Sequence, residues 1–115
     1  MSMKQVNLMH IFIVGPLLMY IGNKKDKTPQ IAFNMLLTLI LLLPFIVRFP
    51  NFNKITYTNI INSSHYLVWI PLFGYIAYKG NKLDNYWWTL LSLLGVTVIS
   101  IHIFLLLNKF GYVKL

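Results

Sequence analysis

The stretch HIFIVGPLLMYIGNK at residues 10–24 occurs a second time, in altered form, as HYLVWIPLFGYIAYK at residues 65–79. Both copies contain the pattern H-x5-P-L-x2-Y-I-x2-K, at an offset of 55 residues. The same offset continues without a gap to pairs such as Leu36 and Leu91. A shared histidine, proline, tyrosine and lysine are much harder to obtain by chance than matched leucines. We therefore interpret the chain as an internal duplication, with repeats at about 8–48 and 63–107.

The composition of the chain is typical of a membrane protein. Of its 115 residues, 57% are hydrophobic and 10% are charged, and the mean hydropathy is +0.65. Soluble domains average about 45–50% apolar and about 25% charged residues. A single core of this size cannot bury so much leucine, isoleucine and phenylalanine. We therefore predict a single integral membrane domain over residues 1–115, in a multi-pass arrangement.

Four apolar stretches are separated by polar connections, at about residues 6–22, 31–47, 66–78 and 86–107. A membrane-spanning helix needs about 20 residues, which the fourth stretch supplies easily. The third reaches that length only with polar neighbours such as Asn62 and His65, so a re-entrant or interfacial segment is the alternative there. Two spans in each repeat would make both repeats enter from the same side. The predicted fold is all-α, with four transmembrane helices as two parallel-repeat helical hairpins.

The residues that recur in the first and third stretches share one helical face at about 100° per residue. Each proline is expected to bend its helix, because it lacks an N–H and crowds the carbonyl four residues earlier. Contact with neighbouring helices is the simplest use of such a face. We therefore predict a packing face, called the repeated face below, whose members are Pro16, Tyr20, Pro71 and Tyr75.

Ionisable side chains inside membrane spans are candidates for function. Three histidines, His10, His65 and His102, are expected at one leaflet, where they would form a polar cluster or a channel mouth. Imidazole is also a ligand for metals and haem. However, no i, i+4 spacing of histidines supports metal ligation. No carboxylate is placed to accept a hydrogen bond from the other ring nitrogen of a ligating histidine. We therefore expect no metal site and no cofactor.

Acidic residues and cysteines are scarce. The two acids, Asp26 and Asp84, supply no catalytic carboxylate pair, and the lack of cysteine excludes disulfides and thiol nucleophiles. We therefore expect no enzymatic activity and no small-molecule substrate. The net charge of +8 predicts attraction to anionic headgroups, and the segment FPNFNKITYTNIINSS at 49–64 is expected along the headgroup region. Nucleic-acid binding is not expected, because no basic patch on a polar surface is visible.

The first repeated unit also carries a family resemblance. The stretch LMHIFIVGPLLMYIGNKKDKTPQIAFNMLL at 8–37, with HIF at 102–104, resembles small hydrophobic multi-pass membrane proteins of large nucleocytoplasmic DNA viruses. Those proteins share a His…GPLL-x-YIG…TP pattern. The second copy departs from it, with Ile70 in place of Gly15 and Leu83-Asp84 in place of Thr-Pro. The resemblance implies a virion's internal membrane or a remodelled host membrane, and it implies no activity. The alternative is an organelle-encoded subunit of a respiratory assembly, because such a protein would have a similar amino-acid composition.

These features favour a non-enzymatic structural or scaffolding role in a membrane or a larger assembly. The expected partners are the lipid bilayer and either other membrane proteins or further copies of the chain. The alternative function is a small oligomeric ion channel or viroporin-like permeability factor with the histidines at one mouth.

Overall fold

The computed structural model describes residues 3–109, and 87% of the chain it describes is helical, with no strand. Helix α1 joins an α-helical segment Met3–Met9, a π-helical turn His10–Val14 and an α-helical segment Gly15–Lys24. Helix α2 is Gln30–Ile46. Helix α3 joins Tyr57–Ser64, a π-helical turn His65–Trp69 and Ile70–Lys79, and helix α4 is Asn85–Lys109. The all-helical fold is therefore confirmed.

The backbone repeats its irregularities at the offset of the sequence duplication. The two π-helical turns begin at His10 and His65, and each closes with an N–H five residues on, at Gly15 and Ile70, donating to the histidine carbonyl. A proline is the second residue after each turn, so the wider π-helical turn stands where an α-helical turn would press the proline ring against a carbonyl. The prolines are therefore accommodated by two equivalent helix irregularities.

The ends of α1 and α3 are also alike. Each helix is followed by a short 3-10 turn, Lys25–Lys27 after α1 and Gly80–Lys82 after α3. The first residue of each turn has a positive φ, 56° at Lys25 and 55° at Gly80. The buried Thr28 fixes the first of these ends, because its hydroxyl donates to the carbonyls of Ile21 at 3.2 Å and Lys25 at 2.7 Å.

The helices divide into two compact units. Unit 1 combines α1 with α4, and unit 2, residues 29–82, combines α2 with α3. The predicted hairpins of α1 with α2 and α3 with α4 are therefore not the compact units of the fold. The physical reason lies in side-chain size: glycines on α1 and α4 allow these two helices, which are most distant in sequence, to approach closely.

Two helical segments are long and apolar enough to cross a membrane. Lys4–Lys27 and Asn85–Asn108 have 24 residues each, with mean hydropathies of 1.4 and 2.5. Helix α2 is apolar but has 17 residues, which at about 1.5 Å per residue is short of a hydrocarbon core of about 30 Å. Helix α3 starts with the polar sequence YTNIINSS. The prediction of four transmembrane helices is thus not confirmed. Two helices, α1 and α4, are long and apolar enough to be candidate spans.

Unit 2 has its own buried residues and a structured connector. Its buried apolar side chains are Ala32, Phe33, Leu36, Ile40 and Ile76. The connector, residues 47–56, leads from α2 to α3. The hydroxyl of Tyr66 donates to the carbonyl of Val47 at 2.7 Å, and the ring of Tyr66 meets that of Phe49 edge to face at 5.2 Å. These contacts hold the start of the connector against α3.

Candidate functional site

Helices α1 and α4 meet along a seam of small residues, called the glycine seam below, formed by Gly15, Gly22 and Gly95. A Cβ atom at Gly22 would lie 2.6 Å from both the amide nitrogen of Ser92 and the carbonyl oxygen of Trp88. A Cβ atom at Gly95 would lie 2.8 Å from the carbonyl oxygen of Gly15. Real side chains do not tolerate these separations, so the two backbones are in direct contact. Small residues produce such close approach between membrane helices.

A polar contact marks one end of the glycine seam. The hydroxyl of Ser92 donates to the side-chain oxygen of Asn23 at 3.2 Å. Trp88 and Leu91 are buried beside this contact, with exposed fractions of 2% and 0%. The glycines therefore allow close backbone contact along the seam. The hydrogen bond between Ser92 and Asn23 joins the two helices near the end of α1.

Two of the three candidate histidines lie together at the opposite end of the seam. The rings of His10 and His102 are stacked, with centroids 4.2 Å apart and planes 6° from parallel. Both side chains are half-buried. His65 belongs to unit 2, where its ring bonds locally to the carbonyl of Ile61 at 2.8 Å. The geometry thus brings two histidines into one pair, and the third has a separate local environment.

The three histidines make the same local hydrogen bond. In each ring Nδ1 lies 2.7–2.8 Å from the backbone carbonyl four residues earlier, that of Val6, Ile61 or Val98. A carbonyl only accepts hydrogen bonds, so Nδ1 is the donor in each of these contacts. The three rings are therefore held in the same way against the preceding turn of their own helices.

Asn7 is a polar residue of this region that sequence reasoning missed. Its side chain is 2% exposed, and its Oδ1 atom has no hydrogen-bond partner among the described residues. It lies one helical turn before His10 on the same face of α1, since residues three apart are neighbours on a helix. That i, i+3 spacing to a histidine inside an apolar stretch is the signal that could have identified it.

The repeated face lies on the outside of the chain. Pro16 and Pro71 are exposed, and Tyr20 and Tyr75 are 41% and 43% exposed. The Nζ atom of Lys24 stands 6.0 Å from the centroid of the Tyr20 ring, within cation–π range. Contacts inside unit 1 are made instead by the glycine seam. The four residues of the predicted packing face are therefore exposed in the structure.

Comparisons with known proteins do not extend this description: no family model, curated protein or solved structure matches the chain. Within residues 3–109, no group of three or more His, Cys, Asp or Glu side chains is arranged to hold a metal ion. The site is therefore defined by its own geometry, a closely packed helix pair with a stacked histidine pair at one end.

Proposed function

We propose that the chain is a multi-pass membrane protein that acts by assembly, as a structural or scaffolding component of a membrane. The observation that carries this proposal is the exposure of large apolar side chains on helices whose other face is already packed. Examples are Phe12 at 71%, Ile31 at 66% and Leu93 at 60%. Contiguous apolar surface of this kind is typical of lipid or protein contact.

The two halves of the repeated face support assembly in particular. Pro16 with Tyr20, and Pro71 with Tyr75, are equivalent positions in the two repeats, and all four are exposed. One chain therefore carries the same kind of contact surface twice. In this proposal each half packs against another membrane helix, supplied by a further copy of the chain. Helices α2 and α3 also lie in the membrane, which gives four spans.

The setting of this assembly follows from the resemblance noted above. A virion's internal membrane, or a host membrane remodelled during infection, would need a small non-enzymatic component of this kind. This setting is part of the proposal and rests on the stretch at 8–37.

Self-assembly in liposomes tests the proposal. Because the chain has no cysteine, one introduced cysteine can carry a donor or acceptor dye for energy transfer between copies. We expect energy transfer that saturates with protein density, and a loss of at least about half of it in Tyr20→Ala/Tyr75→Ala, because each change removes an aromatic contact worth about 1 kcal/mol or more. This corresponds to about a fivefold weaker contact.

The matched control is Leu41→Ala/Val96→Ala. These residues are also exposed, at 65% and 49%, and are also separated by the repeat offset of 55 residues. The control is expected to assemble like the parent chain. Equal losses in both double variants, or energy transfer no higher than that of a monomeric membrane protein at every density, would contradict the proposal.

The stacked His10–His102 pair favours a second candidate, an oligomeric ion channel. A channel would make the same liposomes leak ions more than empty ones, and His10→Ala/His102→Ala would lower that leak while His65→Ala would not. Liposomes as tight as the empty controls would reject this candidate.

A further inference from the structure

The connector of unit 2 forms a hydrogen-bonded loop around Asn59. The side-chain oxygen of Asn59 accepts from the amide of Asn51 at 3.3 Å, and its side-chain nitrogen donates to the carbonyl of Lys54 at 3.1 Å. Its own amide donates to the hydroxyl of Thr56 at 3.1 Å, which caps the start of α3. One side chain thus joins the loop to the helix that follows and fixes where Lys54 stands.

This loop bounds a shallow pocket of about 210 Å³. Apolar and polar side chains both line it. Its apolar lining residues are Phe52, Ile55 and Ile60, and its polar lining residues include Asn51, Lys54 and Ser63. The pocket therefore combines one cation and several hydrogen-bonding groups with an apolar wall.

The surroundings of the pocket are apolar and basic at once. Ile55 is 91% exposed, and Phe49 and Phe52 are 67% and 57% exposed. Arg48, two residues after the end of α2, is a second exposed cation of the same connector. Aromatic and aliphatic side chains next to basic residues are typical of segments at the membrane interface.

Charge identifies the kind of molecule that the pocket suits. Both acidic residues of the chain, Asp26 and Asp84, lie outside residues 29–82, so unit 2 has four basic residues and no carboxylate. Lys54 and Arg48 therefore have no acidic side chain of their own unit to pair with. A ligand with an anionic group and an apolar body complements such a pocket.

We propose that this pocket, formed by the connector and the start of α3, binds the headgroup of an anionic phospholipid. The ammonium group of Lys54 attracts the lipid phosphate, and Ser63 and Asn51 supply polar contacts. The glycerol and upper acyl chain lie on Phe52, Ile55 and Ile60. The inference rests on the membrane location in the proposed function but does not require self-assembly.

Lipid titration of the full chain in detergent tests this inference, with native mass spectrometry counting the lipids retained. Phosphatidylglycerol and phosphatidylcholine with identical acyl chains are the probes. We expect phosphatidylglycerol to bind more tightly, and Lys54→Gln to weaken its binding about fivefold, the effect of one basic residue beside an anionic lipid. Phosphatidylcholine binding is expected to weaken less in this variant, because its choline cation offsets the charge of the phosphate.

Lys79→Gln is the matched control. It removes the same charge from an exposed lysine of the same unit, but at the other end of α3. We expect it to leave phosphatidylglycerol binding at the parent value. A second variant, Asn59→Ala, keeps every charge and releases the loop, and is expected to lose the preference for phosphatidylglycerol. Matching helical circular dichroism establishes that each variant is folded.

Three results would overturn the inference. Equal binding of the two lipids by the parent chain would remove the anionic preference. Equal losses in Lys54→Gln and Lys79→Gln would indicate diffuse charge attraction in place of a pocket. Displacement of the lipid by inorganic phosphate alone would indicate a site for a free anion. Because single chains in detergent bind lipid without assembling, each of these results is distinguishable from a failure of the assembly proposal.

Discussion

Gly22→Ala is expected to lower the free energy of unfolding by about 1–3 kcal/mol, the usual cost of forcing an extra group into a closely packed interface. The added methyl group would lie 2.6 Å from backbone atoms of both Trp88 and Ser92. Backbone atoms cannot rotate away as a flexible side chain can, so α1 and α4 would have to move apart. Equilibrium unfolding in mixed micelles, followed by tryptophan fluorescence, measures this change.

Gly74→Ala is the matched control for this prediction. A Cβ atom at Gly74 would meet only the Cδ1 atom of Ile40, at 3.9 Å, which is an ordinary van der Waals contact. Alanine also favours a helix over glycine by up to about 1 kcal/mol. The control is therefore expected to be neutral or slightly stabilising. A neutral or stabilising effect of Gly22→Ala, like that of the control, would mean that α1 and α4 do not approach closely at the glycine seam.

Lys25→Gly is expected to raise the free energy of unfolding by about 1–2 kcal/mol. Lys25 has φ 56° and ψ −131°, a backbone conformation that strains any residue with a Cβ atom by about 1–3 kcal/mol. Glycine adopts it without strain, although its greater freedom in the unfolded chain offsets part of the gain. The same unfolding measurement in mixed micelles detects the shift.

The second repeat provides the reciprocal test. Gly80 has the same conformation, φ 55° and ψ −129°, without the strain. Gly80→Lys is expected to lower the free energy of unfolding by a similar amount. Stabilisation by Lys25→Gly and destabilisation by Gly80→Lys would have the same cause, the positive φ that the two positions share. A neutral result at both positions would show that the two turns relax freely when substituted.

Much of the local structure could be predicted from the sequence. The apolar stretches indicated four helices, and the duplicated residues indicated where two of them deviate, at Pro16 and Pro71. These features depend on residues close in the chain. Proline removes a donor and crowds a carbonyl wherever it stands in a helix, so its local effect can be inferred without knowing the neighbours.

The pairing of the helices could not be predicted in the same way. Short connections favoured pairing α1 with α2 and α3 with α4, whereas the compact units combine α1 with α4 and α2 with α3. The decisive feature is the size of a few side chains: Gly15 and Gly22 leave room for the close approach of α4, but their counterparts in the second repeat are Ile70 and Ala77. Which helix fills such a gap depends on tertiary contacts.

The candidate site was likewise predictable only in part. Sequence reasoning expected the three histidines at one depth, and His10 and His102 lie in one stacked pair. It expected the repeated face to provide packing, and the structure leaves Pro16, Tyr20 and their counterparts exposed. Asn7 was overlooked because a single polar residue hardly alters the hydropathy of a long apolar stretch.

Disulfide trapping tests the pairing of α1 with α4 most directly. The side-chain oxygens of Asn23 and Ser92 are 3.2 Å apart, so cysteines at these two positions are within reach of each other. The chain has no cysteine of its own, and any intramolecular disulfide must therefore join the two helices. The control pair is Asn23→Cys/Leu93→Cys, because Leu93 follows Ser92 in α4 and is 60% exposed.

Mild oxidation of membranes that contain each double variant gives the result. We expect Asn23→Cys/Ser92→Cys to form the intramolecular disulfide nearly completely and become protected from a bulky maleimide, while the control pair stays reactive. Equal reactivity of the two pairs, either both protected or both free, would contradict the close pairing of the first and last helices.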